Sequence, residues 1–214
     1  MENSISITKN YRIVKFLAWF TILYNFIEGI LSTYFGYEEE GLALFGFGID
    51  SFIELISSLG ILFMINRIEA KPQSSSSAAE KTALKITGYC LYSLAILLVF
   101  TACLSIYQKH VPKNTVAGML IAIVSIIVMY ILILQKVKVG NALQSDAIIS
   151  DANCAKVCMY MSMVLLASSL LNYIFPIPQI DALGAVGIAY FSFKEGKEAL
   201  EKAAGTHSCE GHCH

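Results

Sequence analysis

Charged residues are scarce in this sequence. Asp, Glu, Lys and Arg make up 14% of the 214 residues, and the formal net charge is −1. The basic residues lie between apolar runs and form no patch, which excludes a nucleic-acid-binding surface. The sequence also lacks a glycine-rich phosphate loop with its lysine, so no feature of it supplies ATP chemistry.

Apolar residues are correspondingly abundant. They form 56% of the chain, and the mean hydropathy is +0.63, both well away from the balance of a soluble domain. A chain of this length has room for about six membrane spans of roughly twenty residues. The polar N-terminal segment has no small-residue cleavage site, so the first apolar run is predicted to be a retained span and not a signal peptide.

Hydropathy predicts the fold class, which is an all-α membrane protein with six transmembrane helices. The predicted helices cover residues 13–34, 42–66, 84–108, 114–136, 147–173 and 177–194. The remaining segments are predicted to be polar: an N-terminus over 1–12, a serine-rich loop at about 67–83 and a tail over 195–214.

Basic residues occupy alternate connections between the predicted helices. By the positive-inside rule these connections are cytosolic, which places both termini in the cytosol. Lys109 and Lys113, on the connection between helices three and four, go against the rule. The basic residues that agree with the positive-inside rule are Lys9, Arg12, Lys15, Arg67, Lys71, Lys81, Lys85, Lys136, Lys138, Lys194, Lys197 and Lys202.

Two carboxylates lie inside the second predicted helix. Asp50 and Glu54 are four residues apart, so they share one helix face. Ionisable groups inside a membrane usually mark an ion or proton site, because an isolated charge is costly there. An interhelical hydrogen bond or a shared proton is the structural alternative for this pair.

The fifth predicted helix carries a second pair with the same spacing. Cys154 and Cys158 lie on one face, and helices two and five run antiparallel, so Asp50 is expected nearest Cys158 and Glu54 nearest Cys154. Thiolates and carboxylates together form a tetrahedral zinc site. Buried cysteines more often only pack, and that is the interpretation of Cys90 and Cys103 on the third helix.

Two segments resemble the cation diffusion facilitator family and its smaller transmembrane-only relatives. GLALFGFGIDSFIELISS, residues 41–58, is similar to the family's second transmembrane segment, and residues 179–189 with 194–200 are similar to its sixth helix and exit. The resemblance implies a six-helix, usually dimeric exporter of zinc and related divalent ions, commonly driven by proton exchange. It implies metal ligands from helices two and five, with Asp50 and Glu54 as the acidic ligands of helix two.

The fifth helix departs from the family pattern, which has His and Asp four residues apart. Aligning Asp151 with the family's preceding aspartate puts Cys154 and Cys158 at those positions, whereas a register through Asp146 puts Ile149 and Asn153 there. We prefer the first register because it leaves a better spacing to Asp181, and Asp151 is included among the candidate metal residues. The softer cysteine ligands shift the preference toward cadmium, copper(I) or other thiophilic ions.

The last eight residues are rich in metal ligands, although residues 195–214 are too few for the family's usual cytosolic metal-binding domain. We expect a disordered chelating tail that captures metal in the cytosol, where thiols stay reduced. Its spacing matches no standard zinc finger. The ligands are His207, Cys209, His212, Cys213 and His214.

Other polar residues leave their roles open. Glu28, with Asn25 on the first helix, lines the outward half of the path or accepts a proton, or Asn25 forms a helix-helix hydrogen bond. Asp146, Asp151 and Asp181 alternatively stabilise helix N-termini. Lys156 either neutralises a carboxylate or extends to the membrane surface.

These patterns predict a proton-coupled exporter of zinc or a related ion, with the metal as cargo and no permanently bound cofactor. The expected partners are the metal ion, protons, the lipid bilayer and a second copy of the chain, and the expected location is the inner cell membrane. A membrane metal sensor that does not transport is the main alternative. A thiol redox enzyme is disfavoured, because helix geometry strains a disulfide between Cys154 and Cys158.

Overall fold

A computed structural model of the chain describes residues 2–38, 42–70, 76–108, 116–174 and 180–205. These ranges form six α-helices and contain no strand, which confirms the all-α fold class. The helices are α1 (Glu2–Glu38), α2 (Leu42–Ala70), α3 (Ser76–Gln108), α4 (Val116–Leu143), α5 (Asp146–Ile174) and α6 (Ile180–Ala204).

Five of the six helices, α1 to α5, contain segments long and apolar enough to cross a membrane. In α6 only the first part is apolar, since Lys194, Glu195, Lys197 and Glu198 interrupt the second part. The protein is therefore an integral, multi-pass membrane protein. The cytosolic placement of both termini stays a prediction.

The helices extend beyond their predicted limits mainly at one end of the bundle. At this end α1 and α3 begin earlier than predicted, while α2, α4 and α6 end later. The 37 residues of α1 correspond to a rod about 55 Å long, whereas the hydrocarbon layer is about 30 Å thick. Hydropathy finds only the apolar part of such a helix, so it misses a helical end that projects into water.

Polar contacts join the helices at this projecting end. Lys15 of α1 forms an ion pair with Glu69 of α2. The Ser145 hydroxyl, just before α5, donates a 2.7 Å hydrogen bond to Glu80 of α3. Lys202 Nζ of α6 lies 3.5 Å from Asp146 Oδ1 at the start of α5. These polar contacts act together with an apolar cluster at the same end, which includes Ala79, Ala83 and Ala203.

Buried and exposed residues are distributed as expected for a membrane protein. Of the five candidate spans, α2 and α5 have the largest buried share, while α4 is the most apolar and has the smallest. Lipid therefore solvates apolar side chains, and polar side chains turn inward. Among the polar residues that are fully buried are Asn25, Asp50, Glu54, Ser57 and Ser125.

Two apolar clusters lie along the bundle with a polar layer between them. On α2, Phe47 belongs to the first cluster and Ile61 to the second, and both acidic residues of this helix lie between these positions. On α4, Ile133 belongs to the first cluster and Val139 to the second. The polar layer is thus separated from both ends of the bundle by packed apolar side chains.

Candidate metal centre

The carboxylates of α2 are completely enclosed. Asp50 is 1% exposed and Glu54 is 0% exposed. None of their four carboxylate oxygens has a hydrogen-bond partner within the described residues. An unpaired carboxylate inside a protein costs several kcal/mol, so this arrangement calls for a cation or protons that complete it.

The thiols of α5 face these carboxylates. Cys154 is 1% exposed and Cys158 is 0% exposed. Cys158 interacts more strongly with Asp50 than with Glu54, and Cys154 interacts more strongly with Glu54 than with Asp50. The two i,i+4 pairs therefore lie side by side, in the order that antiparallel helices produce.

A lysine also enters this layer. Lys136 of α4 is 2% exposed, and its Nζ lies 2.9 Å from Asp151 Oδ2 and 3.8 Å from Glu54 Oε1. The prediction that Lys136 lies on a polar connection was wrong, because α4 continues to Leu143.

A sequence signal for this lysine exists. Met129, Leu132 and Val139 are buried on α4, and Lys136 falls in the same spacing of three to four residues that defines one helix face. The adjacent Lys138, which is exposed, hides this signal, because two basic residues at the end of an apolar run usually indicate the membrane surface.

Asp151 is held by several donors besides Lys136. The Ser57 hydroxyl of α2 donates a 2.8 Å hydrogen bond to its Oδ1, and the Ser58 hydroxyl lies 3.5 Å from the same atom. Ser57 is in turn 2.9 Å from Thr87 of α3. Asp151 thus joins helices α2, α4 and α5 in the polar layer.

The two registers considered for α5 place different residues in this layer. Asp146 is exposed at the start of α5, where it pairs with Lys202. Asn153 donates a 2.6 Å hydrogen bond to Glu195 of α6 and accepts one of 2.8 Å from Lys156. The side chains near Asp50 and Glu54 are therefore those of the Asp151 register.

Glu28 of α1 forms a second polar group beside the first. It accepts hydrogen bonds from Tyr24 at 2.7 Å and from Ser51 of α2 at 3.0 Å. The neighbouring Asn25 is fully buried, and its amide has no hydrogen-bond partner in the described ranges. Glu28 is thus held by hydroxyl groups, unlike Asp50 and Glu54.

The candidate ligands are adjacent but are not arranged around a metal position. Within the described residues, no group of three or more His, Cys, Asp or Glu side chains has the geometry to hold a metal ion. The five histidine and cysteine residues of the tail, His207, Cys209, His212, Cys213 and His214, lie outside the described residues.

Comparison with known families gives a match over most of the chain. The model of the cation efflux transmembrane domain matches residues 15–205. The chain belongs to the cation efflux family. The matched domain is that of a metal cation transporter, so the enclosed acidic and thiol layer lies inside a transport domain. A comparison with curated proteins found no match.

The two cysteines of α3 lie in different surroundings. Cys90, which was predicted only to pack, is buried on α3 and interacts with Asp151, so the fold supplies an acidic neighbour that its own helix lacks. Cys103 is exposed on an apolar surface shared with Tyr190 and Phe193 of α6. Of these two cysteines, only Cys90 borders the polar layer of the transport domain.

Proposed function

We propose that this protein exports zinc or a related thiophilic divalent ion, in exchange for protons, through a site formed by Asp50, Glu54, Cys154 and Cys158. The observation that carries the proposal is the enclosure of four carboxylate oxygens without hydrogen-bond partners in the described ranges, directly beside two buried thiols. A divalent cation balances these charges and supplies the missing interactions.

Proton exchange follows from the ligand chemistry. Cysteine binds metal as a thiolate, and each carboxyl group binds as a carboxylate, so metal binding releases the protons that these groups carry. Reprotonation of the same groups weakens the site and releases the ion. A proton gradient directed inward then favours binding from the cytosol and release on the other side, as α2 and α5 change their relative position.

The donor set supports a soft or borderline ion. Two sulfur and two carboxylate donors suit zinc, while sulfur also favours cadmium. Harder ions such as magnesium prefer oxygen ligands and retain water. We infer that zinc is the main cargo and that cadmium competes with it.

The other predicted residues have supporting roles in this proposal. Glu28, held by Tyr24 and Ser51, lines the path next to Asp50 or receives a proton from it. The His207 to His214 segment collects metal on the cytosolic side. We further propose a homodimer formed through membrane helices, located in the inner cell membrane.

Transport by the purified protein in liposomes tests this proposal. Zinc, cadmium, cobalt, manganese and copper(I) uptake is measured with and without an opposing pH gradient. Wild type is compared with Asp50→Asn, Glu54→Gln and Cys158→Ala. Asp146→Asn is the matched control, because Asp146 is an exposed acidic residue at the start of α5. We expect zinc uptake that the gradient stimulates, that the three site variants lose and that the control retains.

Other results lead to different conclusions. Loss in the two acidic variants alone would leave a transporter whose ligands do not include Cys158. Metal binding without uptake of any ion would contradict export and favour the sensor. Equal uptake by wild type and all three site variants would contradict the proposed site.

A further inference from the structure

The charges around Glu54 do not all belong to the proposed ligands. Asp50, Glu54 and Asp151 contribute three carboxylates, and Lys136 contributes one ammonium group. All four residues are at most 2% exposed. With the three carboxylates ionised and the lysine protonated, these four groups carry a formal charge of −2, to which Cys154 and Cys158 add further negative charge when they bind metal as thiolates.

The lysine contacts its two acidic neighbours unequally. Its Nζ is 2.9 Å from Asp151, a direct ion pair, and 3.8 Å from Glu54, at the outer limit of one. Asp151 is anchored further by the hydroxyl of Ser57. Lys136 is therefore fixed at Asp151 and reaches toward Glu54 as a secondary partner.

We propose that Lys136 is a built-in counter-cation, positioned by Asp151, that competes with the divalent ion for Glu54. This inference rests on the proposed function, because it assumes that the metal binds at Glu54. When the ion arrives, Glu54 turns to it and Lys136 keeps only its pair with Asp151. When the ion leaves, the Lys136 charge again stabilises Glu54.

This role makes Asp151 a positioning residue and not a ligand. Its carboxylate is occupied by Lys136 and Ser57, whereas the carboxylate oxygens of Asp50 and Glu54 have no hydrogen-bond partner within the described residues. Asp151 also explains how the ammonium group of Lys136 can be buried, because such a group needs a charged partner in a low-dielectric interior.

Zinc binding by the purified full-length protein, measured by titration calorimetry, tests the role of the lysine. Lys136→Met removes the competing charge, and a unit charge beside a divalent ion changes binding by about tenfold even at water-like screening. We expect at least that gain in zinc affinity, together with a lower KM and a lower maximal transport rate, because release becomes slower. Lys138→Met is the matched control, since it removes an exposed lysine from the same helix.

Asp151 variants separate positioning from ligation. Asp151→Asn releases Lys136 to pair fully with Glu54, so zinc should bind more weakly than in wild type. The double variant Lys136→Met with Asp151→Asn restores the formal charge of −2, and its affinity should return close to the wild-type value. If Asp151 is a ligand, the double variant stays weak, and the inference fails.

The outcomes separate this inference from the proposed function. Wild-type zinc affinity in Lys136→Met, with normal folding, would overturn the counter-cation and leave export intact. Absence of zinc binding in wild type would overturn the proposed function itself. If Lys136→Met does not fold, Lys136→Arg serves instead: it keeps the charge and should keep near wild-type affinity, while a tenfold change there would contradict the role of charge.

Discussion

At the scale of single residues, the neighbours supplied by the fold decide the role of a side chain. Lys136 and Lys138 are two positions apart, yet the first is buried within 4 Å of the carboxylates of Asp151 and Glu54 and the second is exposed. The same holds for cysteine, because Cys154 lies beside Glu54 and Cys103 is exposed. Residue type by itself therefore does not identify the centre.

Replacement of Cys154 by alanine tests what a thiol adds at this scale. A thiolate favours soft ions more than hard ones, so Cys154→Ala should weaken cadmium binding more than zinc binding and lower the ratio of cadmium to zinc affinity. Calorimetric titration of both ions measures this ratio. Cys103→Ala is the control and should leave the ratio at the wild-type value; a fall of the same size in both variants would argue against Cys154 as a ligand.

At the scale of helices, the close approach of α1 and α2 holds α2, the helix that carries Asp50 and Glu54, in position. A Cβ atom added at Gly48 of α2 would lie 2.4 Å from Thr33 Oγ1 and 2.7 Å from the Thr33 backbone nitrogen. Small residues allow membrane helices to pack this closely. Asp50 lies less than one helical turn from this contact.

Gly48→Ala should therefore separate α1 from α2. Backbone atoms of Thr33 cannot move aside easily, and we expect a loss of about 1–3 kcal/mol in the free energy of unfolding, with weaker metal binding because Asp50 shifts. Unfolding in detergent, followed by circular dichroism, measures the loss. Gly187→Ala is the matched control, since an added Cβ meets nothing within 4 Å, and it should be neutral or stabilise α6 by up to about 1 kcal/mol.

At the scale of the whole molecule, we propose separate tasks for the transport domain and for the tail that is predicted to bind metal. The transport domain encloses the centre between two apolar clusters, while the tail continues beyond Gly205, which ends α6 with a φ of 75°. A chelating tail raises the local supply of metal to the bundle but adds no ligand inside it. Its contribution should depend on the metal concentration.

Deletion of residues 209–214 should consequently reduce zinc uptake at limiting metal and leave the maximal rate at saturating metal close to wild type. Liposome uptake over a range of zinc concentrations measures both quantities. A tail of the same length with His and Cys replaced by Ser is the control for chain length, and it should behave like the deletion. Complete loss of uptake at saturating zinc would show that the tail is part of the transport machinery.

Much of the fold could be predicted because its signals are local. Hydropathy located six helices, and carboxylates in an apolar run identified Asp50 and Glu54 without any knowledge of their neighbours. Helix ends were less predictable, because turns such as the last one of α2 depend on contacts with another helix, here that of Glu69 with Lys15. Lys136 was missed for the same reason: a lysine near a helix end has the same sequence signature whether it faces water or a buried aspartate.

The sequence by itself determined the helical membrane fold and the two i,i+4 pairs, since hydrocarbon solvation and helical periodicity act on each segment separately. The tertiary structure decided which helix faces meet: that Cys154 lies beside Glu54, that Asp151 is occupied by Ser57 and Lys136, and that Glu28 is held by hydroxyl groups. These contacts join residues far apart in the chain, and packing between helices, not propensity within one, fixes their distances.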